Sequence, residues 1–213
     1  MEIVDLTRPL GWETPVFPGD PAVTLTRVAT HETYGFEVTQ ICLGSHSGTH
    51  IDAPRHFFAD GATLSDYPVE RLVGEGVVID VRMAPSGIVD RKFLAPRLEQ
   101  SPVERGDFVL LWTGEPDRGS DDTPPCTSLS PDAAVLLVEK GVTLVGTDGP
   151  DLDAEGGPYP VHRLLLGAGV LLAENLCNLE KLGSGRVQCI FLPLAVEHTD
   201  GAPVRAIAWR LPA

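Results

Sequence analysis

Basic residues are scarce in this chain: 16 Lys and Arg stand against 30 Asp and Glu, a formal net charge of −14 at pH 7. Such a surface repels a nucleic-acid phosphate backbone, and no Lys/Arg cluster offsets it, so nucleic acid is not expected as a partner. Cysteine is also sparse. Cys42, Cys126, Cys177 and Cys189 are scattered, with neither the C-x-x-C spacing of a zinc ribbon nor the density of a secreted disulfide scaffold, and a reducing, cytoplasmic setting is expected. No apolar run approaches the ~20 residues needed to cross a bilayer, and no charged segment followed by an apolar stretch opens the chain, so neither a membrane span nor an export signal is expected. The G-x-S-x-G string of a serine hydrolase is missing; the nearest approach, residues 44–48, has His46 at its centre.

What remains is an ordinary globular composition, 43% hydrophobic and 22% charged, over a length of 213 residues that suits one domain spanning 1–213. Short runs rich in Val, Ile, Leu and Thr, bounded by Gly, Pro or Asp, predict strands over 3–7, 22–29, 37–43, 77–81, 108–113, 142–146, 188–192 and 204–209. Helical signals are fewer. They cover 90–98 and 130–140, the second with Ser130 at the N-cap, Pro131 at N1 and Gly141 just past the end. Strands come first and alternate with helices later, which points to a mixed, strand-rich α/β fold with a minority of helices. Residues 114–125, polar and rich in Gly, Pro and Asp, predict a loop.

The chemistry concentrates in residues 44–58, which read G-S-H-S-G-T-H-I-D-A-P-R-H-F-F. His46 and His50 are four apart, yet Gly48, Thr49 and Pro54 oppose a continuous helix. A turn entering an extended segment fits better, and there His50 and Asp52, two apart, point the same way. One histidine alone would read as a turn or surface residue; four such groups this close read as ligands for Zn, Mn or Fe. With no cysteine beside them, an open catalytic site is favoured over a closed structural one. A second stretch, 162–179, places His162 and Glu174 at either end of an apolar run. A carboxylate in a buried segment needs a partner, so Glu174 either ends its segment in solvent or meets a metal. Gly167 and Gly169 lack the context of a dinucleotide fingerprint and read as packing.

These residues carry a specific resemblance. The H-S-G-T-H-I-D-A-P-R-H string of 46–56 is similar to the H-x-G-T-H-x-D-x-P-x-H signature of the cyclase-like metal-dependent hydrolases that include bacterial kynurenine formamidases. Further similarity lies in V-F-P-G-D at 16–20, V-G-T-D at 145–148, the run from His162 to Glu174, and D-G-A-P-V-R at 200–205. The resemblance implies a swivelling β/β/α-type domain, a homo-oligomer of two or more chains, and a small-molecule substrate. It also implies two divalent metals per chain, with Zn favoured by ligand type and Mn accommodated. His46, His50 and Asp52 would hold one metal and His162 the other, Asp52 and Glu174 would bridge them, and His56 would shuttle protons. Phe17 stands where relatives often carry Trp, against an aromatic substrate; the change keeps the ring and removes the indole. The implied activity is hydrolysis of an N-formyl or N-acyl amide, N-formylkynurenine foremost, or alternatively opening of an isatin-like lactam or a cyclisation. Glu174 favours the two-metal form, since isatin-hydrolysing relatives tend to lack that carboxylate.

Two other classes compete. An iron(II) oxygenase triad of His50, Asp52 and His162 would leave His46, His56 and Glu174 idle. A non-catalytic metal-binding module would carry the same ligands with no room for substrate beside them.

Overall fold

The computed structural model describes residues 2–114, 127–154 and 157–211. Its strands are β1 (Val4–Asp5), β2 (Thr24–Ala29), β3 (Val38–Cys42), β4 (His50–Asp52), β5 (Val73–Asp80), β6 (Ile88–Val89), β7 (Phe108–Trp112), β8 (Ser128–Leu129), β9 (Leu144–Thr147), β10 (Leu171–Glu174), β11 (Gly185–Pro193) and β12 (Gly201–Arg210). The helices are α1 (His31–Tyr34), α2 (Arg91–Gln100), α3 (Pro131–Lys140), α4 (Pro160–Gly167) and α5 (Leu179–Leu182).

The main sheet runs β12-β11-β5-β7-β9-β10-β4, and β4 pairs back onto β12, so the sheet closes into a barrel-like ring; β1 takes the rest of that edge of β12. From β5 through β10 the neighbours are parallel. Parallel strands covered on both faces carry continuous apolar runs, as in F-V-L-L-W of β7. Successive side chains alternate between two cores. Val78, Phe108, Leu110, Leu171 and Ala173 join Ile51, Cys189 and Phe191 on one side. Val77, Ile79, Val109, Leu111 and Leu172 pack on the other against Leu94 of α2, Leu137 of α3 and Leu165 of α4. Each fully buried aliphatic side chain contributes about 1.5–3 kcal/mol through this burial.

The mixed, strand-rich reading holds, and both expected helices form. The Asp90 carboxylate accepts from Phe93 N at 2.7 Å to cap α2, and Gly141 ends α3 at φ 74°, a conformation that glycine adopts without a steric penalty. The ladder extends β5, β11 and β12 beyond their apolar runs, because pairing, once begun, recruits flanking residues that composition alone would not choose. Beyond Gly114 the predicted loop lies outside the described residues. No helix among the described residues is long and apolar enough to cross a membrane.

Candidate metal centre

The extended conformation of β4 puts His50 and Asp52 on the face opposite Ile51. Antiparallel pairing with β10 sets Glu174 opposite His50 and Leu172 opposite Asp52, so the two histidine-and-acid positions share the face on which the helices pack. α4 delivers His162 from that layer: Val161 and Leu165 anchor the helix in the core, and the imidazole between them is itself buried. The apolar run read as one segment is therefore a helix and a strand. Gly169 at φ 75° lies in the turn between them.

Two carboxylates form the heart of the cluster. Asp52 Oδ1 lies 2.8 Å from His46 Nδ1 and 3.3 Å from His50 Nε2, and Asp52 Oδ2 lies 3.6 Å from His162 Nε2. Glu174 reaches His50 Nε2 at 3.6 Å and His162 Nε2 at 3.3 Å. Asp52 is 1% and Glu174 5% exposed. Two ionised carboxylates this deep are costly unless cations compensate them. The outer nitrogens are already committed: His50 Nδ1–H donates to Gly48 O at 2.8 Å, and His162 Nδ1–H donates to Asp153 Oδ2 at 2.8 Å. Each Nε2 therefore faces carboxylate oxygen, and Glu174 Oε1 has no hydrogen-bond partner.

The electrostatics express the same demand. Burial opposes charge on His46, but Asp52 and Asp200 outweigh it and raise its pKa to about 9. His50 and His162 are raised against the same burial, His50 by Asp52 and Glu174, His162 by Asp153, Asp52 and Glu174. Burial also opposes the Asp52 charge, and His46 and His50 nonetheless hold its carboxyl well below the usual range. Asp151 is pushed up to about 7 by burial and by Glu174. The cluster thus pulls in positive charge at His46, His50 and His162. A divalent cation satisfies it with neutral imidazoles, and hard oxygen with borderline nitrogen is the donor set of Zn or Mn. The residues fit such an ion. His50, Asp52 and Glu174 offer donor atoms within 4.8 Å of one another, as do His46, Asp52 and His56, and also Asp151, Asp153 and His162.

His56 sits at the more open edge, its side chain 31% exposed, on the short turn Pro54–His56 that follows β4. Its ring lies over His46 with centroids 4.0 Å apart and meets Phe57 edge-on at 4.7 Å. Burial is the largest influence on its pKa and lowers it; Asp52 and Asp200 oppose this and His46 and His162 add to it, and the net shift is downward. Phe57 and Tyr159 flank His162, with centroids at 5.1 and 6.1 Å. Phe17 is 54% exposed, in a turn closed by Asp20 N donating to Phe17 O at 2.9 Å.

The structure thus brings together His46, His50, Asp52, His56, His162 and Glu174. It adds Asp151, Asp153 and Asp200, which sequence reasoning did not single out. Asp153 had one usable signal, its place shortly before Pro160 at the head of a helix; its carboxylate accepts from the backbone of Val161 and His162 at 2.9 and 3.0 Å.

Comparison with known proteins follows the same lines. Residues 4–154 match the family model described as Putative cyclase. The chain is 33% identical over 211 residues to a kynurenine formamidase of Salinibacter ruber, with 97% of each chain covered. It is 32% identical over 208 residues to one of Bacillus thuringiensis, covering 97% of this chain and 96% of that one. Its fold matches isatin hydrolase A of Labrenzia aggregata with a TM-score of 0.87 at 28% identity, covering 97% of this chain and 93% of that one.

Proposed function

The chain belongs to the Putative cyclase family, and on that premise we propose that it is a metal-dependent hydrolase that opens the C–N bond of a small N-formyl, N-acyl or cyclic amide. The observation that carries this reading is the buried pair Asp52 and Glu174, facing the Nε2 atoms of His50 and His162, beside a partly exposed His56. A closed structural site would have no such edge. N-formylkynurenine is the first substrate to test, given the names of the curated relatives. An isatin-like lactam is the second reading, favoured by the fold match to isatin hydrolases.

His46, His50 and Asp52 would hold one ion and His162 a second, with Asp52 and Glu174 shared between them; Zn suits the donors best and Mn is compatible. When bound, such ions supply Lewis acidity and bring the pKa of a water to about 7. The chain's own residues perform the rest. His56 takes the proton of the attacking water and returns it to the departing nitrogen, a role that its lowered pKa suits. Phe57 and Tyr159 supply aromatic surface beside His162, and Phe17 is a candidate for the outer wall of the substrate site.

Elemental analysis of chain purified without chelator, paired with a formamidase assay before and after metal removal, tests this. The expected outcome is about two metals per chain and turnover that disappears on removal and returns with Zn or Mn. Metal without N-formylkynurenine turnover, but with isatin opening, selects the second reading. A chain that binds no metal overturns both.

A homodimer is also proposed, and the β2–β3 hairpin supports it. Val28, Tyr34, Phe36, Val38 and Ile41 are each 44–60% exposed on or beside these two strands. A two-stranded hairpin is marginal by itself, and this many exposed apolar side chains on one hairpin favour a protein contact over solvent. Ile41→Asp together with Phe36→Ser is expected to shift the chain from dimer to monomer in sedimentation. A wild-type monomer removes this assembly. Cys42 and Cys189 are unbridged thiols, which supports a reducing, cytoplasmic setting.

A further inference from the structure

His46, like His162, is held between carboxylates on both sides of its ring. Both of its nitrogens face carboxylates: Nδ1 lies 2.8 Å from Asp52 Oδ1 and Nε2 lies 2.8 Å from Asp200 Oδ2. The same Asp200 oxygen stands 3.4 Å from His56 Nδ1, and the His46 and His56 rings lie with centroids 4.0 Å apart and planes tilted by 35°. One carboxylate oxygen is therefore hydrogen-bonded to one imidazole and faces a ring nitrogen of its neighbour. One of them belongs to the ligand set and the other is the proposed base.

The backbone fixes this grip. Ala53 N donates to Asp200 O at 2.8 Å, and Gly201 pairs with Asp52 across the β12–β4 seam. The start of β12 is thereby registered against the strand that carries His50 and Asp52 and the turn that carries His56. A side chain at Gly201 would place its Cβ 2.8 Å from His46 Cε1 and 2.8 Å from Ile51 O, closer than real Cβ contacts permit. The Asp-Gly pair thus lays bare backbone against the His46 ring and leaves the preceding carboxylate at the ring edge.

We infer that Asp200 is a positioning residue for both histidines. It accepts from His46 Nε2–H, which turns the bare Nδ1 toward Asp52 and the ion. It also faces His56 Nδ1 at 3.4 Å, which favours a proton on that nitrogen and leaves His56 Nε2 as the one that takes the proton. In this role it is the counterpart of Gly48 O behind His50 and of Asp153 behind His162. Outer partners of this kind fix the ring tautomer and orientation of a ligand histidine, and their loss costs ~10–100-fold in metal affinity. The assignment rests on the proposed metal centre, and nothing in it depends on which amide is the substrate.

The test is a Zn2+ titration of the metal-free chain against a chromophoric chelator, for wild type, Asp200→Ala and Asp200→Asn, with thermal melting of each metal-free protein. Asp200→Ala is expected to bind the weakened Zn2+ equivalent ~10–100-fold less tightly. Asp200→Asn, which keeps an acceptor oxygen, is expected to fall between it and wild type. At saturating Zn2+ the alanine variant is expected to show reduced kcat with unchanged KM, because His56 has lost its orientation. Zn2+ affinity and kcat equal to wild type overturn the assignment while leaving the metal centre standing. A lowered melting temperature with unchanged affinity also overturns it, since that is a structural role only. A wild-type chain that binds no Zn2+ overturns the metal centre and this assignment together.

Discussion

Replacing His56 with alanine is expected to lower turnover by ~10²–10⁴-fold, the range over which a positioned acid–base group acts, while the metal content per chain stays that of wild type. His56 is suited to the role by its lowered pKa and its place. Burial, the largest influence, keeps its pKa below the ordinary value against the opposing charges of Asp52 and Asp200, and its side chain is 31% exposed where Asp52 is 1%. Loss of the ring removes its contacts with His46 and Phe57 but breaks no buried charge pair, so the fold should survive. Elemental analysis alongside kcat checks the result. If metal is lost in proportion to activity, His56 is a ligand, in keeping with its grouping beside His46 and Asp52, and the proton passes elsewhere.

Asp52→Asn is expected to have the largest effect on the metal. The substitution preserves shape and removes one charge from a residue that stands 2.8 Å from His46, 3.3 Å from His50 and 3.6 Å from His162. No other carboxylate touches all three histidines among the described residues. Metal affinity should fall by more than the ~100-fold that marks the loss of an outer partner, and turnover should fall with it. A variant that retains its full metal content would show that Asp52 is only a counter-charge, and Glu174 with His162 would then have to hold the ion. Comparing Asp52→Asn with His56→Ala separates the two functions directly: one loses metal and turnover together, the other turnover alone.

Much of the site was legible because its spacing is local. His50 and Asp52 share a face wherever the segment is extended, and Gly48 and Pro54 already opposed the helix that would have paired His46 with His50. The N1 proline and terminal glycine of α3 worked in the same way. The stretch from His162 to Glu174 was harder. An apolar run of this length fits a buried helix or a buried strand equally by periodicity, and here it is one followed by the other. The glycines read as packing mark the reversal between them. Asp153 and Asp200 were given no role, although Asp200 opens the D-G-A-P-V-R string and Asp153 lies shortly before Pro160, since an aspartate in a turn resembles any other until its partner is known.

The sequence by itself determined the alternation of apolar residues, the ligand types and the acidity of the chain, because these depend on side-chain chemistry and on neighbours a few positions apart. Only the tertiary structure decided that Asp200, separated by 154 positions from His46, lies at its edge, and that Glu174 faces His50. Both contacts follow from the register in which β4 is inserted between β10 and β12. That register is set by the closure of the whole ring around its two cores, a sum of many burial contributions that no short segment contains.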